Sequence, residues 1–123
     1  MNHHDLYLIT TIDVECDKTA TWYTITPLSF RGITEVIPNL LLPLFADFGI
    51  RPTFLPSPEV ICNPDCCSVL RDADSAELGT HLHGDYTTPQ IKTWDFAGSI
   101  TDEMQWEYPP DLERAKLETI FSI

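Results

Sequence analysis

Basic side chains are scarce in this chain. Its 123 residues hold seven lysines and arginines against nineteen aspartates and glutamates, a formal net charge of -12. A surface that negative repels phosphate backbones and anionic bilayers, which argues against nucleic acid and membranes as partners and leaves a neutral or cationic substrate unopposed. Long apolar runs are missing too. The greasiest stretch, LLLPLF at 40–45, falls far short of the ~18 residues a membrane span requires. The amino terminus, MNHHDLYLITT, shows no basic segment leading into an apolar one, so no secretory signal is read there and a cytoplasmic location is expected. Cysteines number only four, at positions 16, 62, 66 and 67. In a reducing compartment they are expected to stay thiols, and CNPDCC lacks the two spaced pairs of a structural zinc site.

What the chain does have is ordinary globular hydrophobicity, 43% of residues, enough for one small core in one domain. LYLITTIDVE (6–15) is β-branched, aromatic and almost continuously apolar, which predicts a strand buried on both faces. Apolar positions 36, 37, 40, 41, 44, 45 and 48 predict a helix over 34–49 that ends at Gly49 and bends near Pro43. IRPTFLPS (50–57) reads as a second strand, residues 66–72 as a short helix with Pro64 near its start, and AELGTHLH (76–83) as a third strand. A long loop rich in Trp, Tyr, Thr and Pro covers 84–109. A last helix over 109–123 is expected to bury Leu112, Ala115, Leu117, Ile120 and Phe121. Strands alternating with helices imply an α/β fold with a parallel sheet, whose ligands bind beyond the carboxyl ends of the strands.

Two motifs fall at that end. TIDVE closes the first strand, and side-chain alternation puts Asp13 and Glu15 on one side of it. THLH closes the third strand, and by the same parity His81 and His83 share a side. Either pair alone is compatible with solvent-facing side chains. On one sheet rim they supply His, His and Glu as three protein ligands for a divalent metal, zinc first among them, with an open position for water and Asp13 as a candidate base.

Taken together these stretches resemble the polysaccharide deacetylase family, also called the NodB-homology or carbohydrate esterase family 4 domain. TIDVE is similar to its first motif, GIRPTFL to its second-strand segment, and ELGTHLHGD to its histidine motif; the resemblance spans roughly 6–85. It implies a distorted (β/α) barrel, with Asp13 as catalytic base, Glu15 as metal acid and His81 as first histidine ligand. Two departures matter. The family's second histidine stands four residues after the first, where this chain has Asp85, so His83 and Asp85 are rival ligands. Glu15 also stands where many members carry the shorter aspartate.

The family's later motifs, an arginine that orients the base and a histidine that acts as general acid, have no counterpart after residue 85. Such barrels run to roughly 200 residues or more, so residues 1–123 are expected to be one partial domain. Its third strand would then offer an open edge for self-association. The expected activity is metal-dependent hydrolysis of an amide or ester on an acetylated sugar. The alternatives are a non-catalytic metal- or carbohydrate-binding remnant, or a related barrel hydrolase acting on small non-peptide amides. Trp94, Phe96, Trp106 and Tyr108 could either stack a sugar or pack their own loop.

Overall fold

The computed structural model describes residues 7–87 and 109–122, the Asp85 side chain excepted. The four aromatic residues of the loop at 94–108 therefore lie outside the described residues. Three parallel strands form one sheet in the order β1 (Thr11–Val14), β2 (Thr53–Pro56), β3 (Glu77–Leu78). A π-helical segment, Gly32–Leu41, runs into α1 (Leu42–Asp47) between β1 and β2. Two short helices, α2 (Pro58–Ile61) and α3 (Pro64–Arg71), join β2 to β3, and α4 (Pro110–Ile120) closes the described chain. The architecture is α/β, as the alternation of elements predicts. Among the described residues no helix is long and apolar enough to cross a membrane.

The core lies between the sheet and the helices of its first two connections. Val14, Ile33, Ile37, Phe54, Val60, Cys66, Leu70 and Ala73 are buried together there. Phe54 is its centre, wholly buried and flanked in register by Ile12 on β1 and Leu78 on β3.

β1 departs from the sequence expectation. Its residues alternate between outward and inward positions up to buried Val14, and Tyr7, Leu8 and Ile9 before it are exposed. The reason is position: among the described residues β1 pairs only with β2, so it is an edge, and a continuous apolar run there is not covered on both faces. β3 is also shorter than 76–83, and among the described residues it too pairs on one side alone. Its amide ladder nevertheless runs on, with Glu77, Gly79 and His81 donating in turn to the carbonyls of Pro52, Phe54 and Pro56. Gly79 permits this approach, since a Cβ there would stand 2.7 Å from Leu55 Cδ2.

The helix expected over 34–49 starts earlier, at Gly32, and is wound differently. Pro38 lies inside it and has no amide hydrogen to give. The backbone adopts the wider π winding through this stretch, and the Leu42 amide reaches back five residues to the Ile37 carbonyl. α-Winding resumes at Leu42, with Pro43, a second residue that has no amide hydrogen, in its first turn. A bend was expected near Pro43; what stands next to it is this change of winding. The segment's start is capped from afar: Asp17 accepts from the amides of Arg31 and Gly32, at 2.8 and 2.9 Å, and from the Ser29 hydroxyl.

α3 begins two residues before its expected start, because Asn63 caps it by accepting from the amides of Asp65 and Cys66, with Pro64 at the first helical position. α4 exposes two residues expected to be buried, Leu117 and Phe121. Its inward stripe is Leu112, Ala115, Lys116, Thr119 and Ile120, a regular helical spacing with a lysine at its middle.

Candidate functional site

Glu15 follows the last residue of β1, and two backbone contacts fix its neighbourhood. The Ser57 amide, just past β2, donates to the Val14 carbonyl. The Cys16 amide donates to Oε1 of buried Glu59 at 3.1 Å, and that oxygen also takes the Ser57 hydroxyl at 2.6 Å. The chain leaving β1 is therefore pinned on both sides of Glu15.

His81 stands against it. Its amide continues the β3 ladder to Pro56, and its ring Nδ1 lies 2.7 Å from the Leu55 carbonyl. A carbonyl can only accept, so Nδ1 carries a hydrogen and Nε2 is left to face Glu15 Oε1 at 3.2 Å. His83 Nε2 faces the other carboxylate oxygen, Oε2, at 3.8 Å. The two imidazoles thus flank one carboxylate, with ring centroids 6.3 Å apart. Asp13 is exposed on β1 opposite Leu55, and its charge reaches His81. The Asp85 side chain lies outside the described residues. The structure brings Glu15, His81 and His83 together and places Asp13 beside them on the same rim, the carboxyl end of the strands.

Three neighbours were not anticipated from the sequence. Lys18 Nζ lies 3.5 Å from Glu15 Oε2 and donates to Thr24 Oγ1 at 3.3 Å. Its position three residues after Glu15 was the available signal. Tyr86 packs its ring 4.8 Å from that of His83, and its hydroxyl lies 3.3 Å from Cys16 Sγ and 3.2 Å from Thr24 Oγ1. Cys16 is buried, which raises its thiol pKa and leaves it protonated at neutral pH.

The electrostatics follow from this crowding. The hydrogen bond with His81 holds the Glu15 carboxyl at about 2, against an ordinary 4.5, while burial opposes the shift and the charges of His83 and Lys18 add to it. The same hydrogen bond raises His81 above its ordinary 6.5, against burial and with help from the Leu55 carbonyl and Asp13. Because Glu15 is depressed on folding, its contribution to stability is complete above pH 4.5 and is lost as pH falls toward 2. Because His81 is raised, its contribution is complete below pH 6.5 and is lost as pH climbs through its folded value. In chelator-treated protein, the stability advantage of the wild type over Glu15→Gln is therefore expected to be flat between pH 4.5 and 6.5 and to shrink on both sides. Its plateau should be about 1–2 kcal/mol, since the pair is partly exposed. Urea unfolding of both proteins across pH checks this; a difference still rising above pH 8 would contradict it.

Could these residues hold a metal ion? As placed, the three do not close on a common point, and among the described residues no three His, Cys, Asp or Glu side chains are gathered as a metal-holding group. The donor set nonetheless fits a divalent ion chemically. Nδ1 of His81 is anchored on a backbone carbonyl, the usual way a ligating imidazole is fixed with Nε2 free to bind. The neutral ring turns a lone pair toward a carboxylate oxygen, so the 3.2 Å approach needs either a proton or a metal cation between them. Ligand atoms about 2.1 Å from a tetrahedral ion stand roughly 3.4 Å apart; here Nε2 of His81 lies 3.2 Å from one Glu15 oxygen and Nε2 of His83 lies 3.8 Å from the other, so the two contacts share no oxygen. The chain matches no protein-family model, no curated protein and no solved structure.

Proposed function

We propose that this rim is a divalent-metal hydrolytic site and that the sheet is part of a (β/α) barrel of the polysaccharide deacetylase type, acting on the acetyl group of an acetylated sugar. The observation that carries the reading is the pair of imidazole Nε2 atoms turned onto one carboxylate, with His81 set by the Leu55 carbonyl at the carboxyl end of parallel strands. Glu15, His81 and His83 would hold the ion, zinc or a similar one, with Asp85 as the alternative to His83. When bound, the ion supplies Lewis acidity to a water and to the acyl oxygen. Asp13, exposed on β1, would take the proton from the attacking water. Lys18 brings a positive charge beside Glu15, where negative charge developing on the acyl oxygen would be stabilised.

A second reading is supported by the lack of convergence among the three side chains: the cluster is a plain Lys18–Glu15–His81 ion network in a non-catalytic remnant of the fold. Titration of metal-free protein with Co²⁺, followed by absorption, separates the two. The hydrolytic reading expects one ion per chain and no thiolate-to-cobalt band, which keeps the cysteines out of the count. Acetate release from N-acetylated oligosaccharides by these 123 residues is expected to be very slow, since no histidine follows His83 to act as general acid, and what release there is should require the ion and be lost in Asp13→Asn. Absence of binding at micromolar Co²⁺ and Zn²⁺ would leave the ion-network reading; cleavage of small amides but not of sugars would redirect the substrate.

A further inference from the structure

The two histidines are held by different parts of the fold. His81 belongs to the sheet, through its amide on Pro56 and its ring on Leu55. His83 lies beyond the last rung of the ladder, and its carbonyl is taken up by the turn that follows. The Tyr86 amide donates to it at 3.1 Å and the Thr87 hydroxyl at 2.8 Å. The Thr87 amide closes the same turn onto the Gly84 carbonyl at 3.3 Å.

A side chain of α4 grips that turn from outside. Lys116 sits at the centre of the inward stripe of α4 and is 0% exposed. Its ammonium donates to the carbonyls of Gly84 at 3.0 Å and Thr87 at 2.7 Å, the two ends of the turn. Thr87, 1% exposed, is the link: its carbonyl receives Lys116 and its hydroxyl returns to His83. A lysine is seldom buried so completely, because its charge loses solvation, and its presence in an otherwise packing stripe calls for a role that a leucine could not fill. Two carbonyls spanning a turn are such a role, since an ammonium offers several donors from one point.

We infer that Lys116 is a positioning residue for His83, acting through Thr87 to set the second imidazole against Glu15 while the sheet sets the first. The inference rests on the reading of His83 as a ligand, and it makes α4 part of the site without touching it.

The test uses Lys116→Met, which keeps length and removes the donors, and the pair Thr87→Val and Thr87→Ser, which remove and retain the hydroxyl. In metal-free protein, the ring nitrogen resonances of His83 should shift in Lys116→Met and Thr87→Val and return in Thr87→Ser, while those of His81 stay in place. Zinc affinity should fall about 10- to 100-fold in the first two variants, the usual size of an effect exerted through a ligand's support, and recover in the third. If the Met variant does not fold, the Thr87 pair carries the comparison. Folded variants in which His83 is unmoved, or in which both histidines move alike, would overturn the inference. So would loss of folding in Lys116→Met and Thr87→Val together, which would make the clamp a requirement of the fold. A wild type that binds no zinc would sink the metal reading and leave the resonance comparison standing.

Discussion

On the proposed reading of the rim as a metal site, His81→Ala should bind a divalent ion more than about 100-fold more weakly, since removing a direct ligand exceeds the 10- to 100-fold cost of removing a ligand's support. The reasoning is geometric. His81 is fixed at both ring nitrogens, by Leu55 on Nδ1 and by Glu15 on Nε2. The same substitution takes away the largest influence holding Glu15 near 2, so the carboxyl should titrate closer to its ordinary 4.5 in metal-free protein. Calorimetry with zinc and carboxyl carbon resonances in the chelated protein read the two effects separately. His83→Ala and Asp85→Ala, set side by side, decide which supplies the second ligand: the larger loss should fall on His83. Unchanged stoichiometric zinc in His81→Ala would end the assignment of the rim as a metal site.

Phe54→Ala should cost about 3–5 kcal/mol, the range for deleting a buried aromatic ring. Domains of this size are stable by roughly 5–15 kcal/mol in all, so the variant is expected to be largely unfolded at moderate urea or at 37 °C. Phe54 lies on the central strand, is 0% exposed, and anchors the cluster between Val14, Val60 and Leu70. Tyr7→Ala provides the contrast: Tyr7 is 82% exposed, and its loss should fall within about 0.5 kcal/mol of neutral. Urea melts of the two variants beside the wild type check the ranking. A Phe54 variant as stable as Tyr7→Ala would mean that the cluster is not the source of cooperativity.

The parts of the fold legible in the sequence were those governed by local rules. Alternating elements indicated the class, and the position of TIDVE and THLH after successive strands indicated that Glu15, His81 and His83 meet at one end of the sheet, although His83 is held there by a turn and not by the strand. What escaped was set by partners distant in sequence. Edge position left Tyr7–Ile9 uncovered, which no property of LYLI reveals. Pro38 turned an expected α-helix into a π-wound one, a choice that depends on which carbonyl the next free amide can reach. The inward face of α4 includes Lys116 because carbonyls 29 and 32 residues away in sequence receive it, and hydrophobic periodicity scores a lysine as outward by default. Tyr86 joined the site for a similar reason, since its hydroxyl partners Cys16 and Thr24 lie 70 and 62 residues away, whereas Lys18 stands only three residues from Glu15.

The hydrogen bond from His81 to Leu55 ends on the peptide itself. Every amino acid at position 55 would bring the same carbonyl, so the setting of the imidazole is insulated from point substitution there. Glu15 has no such insulation, because its part is played by side-chain atoms that one base change can remove. Homologues of this chain should therefore vary freely in side chain at 55, within the room left beside Gly79, and hardly at all at 15. A library selected for zinc binding would show that asymmetry directly: a broad spread of apolar residues at the first position and near-exclusive acid at the second.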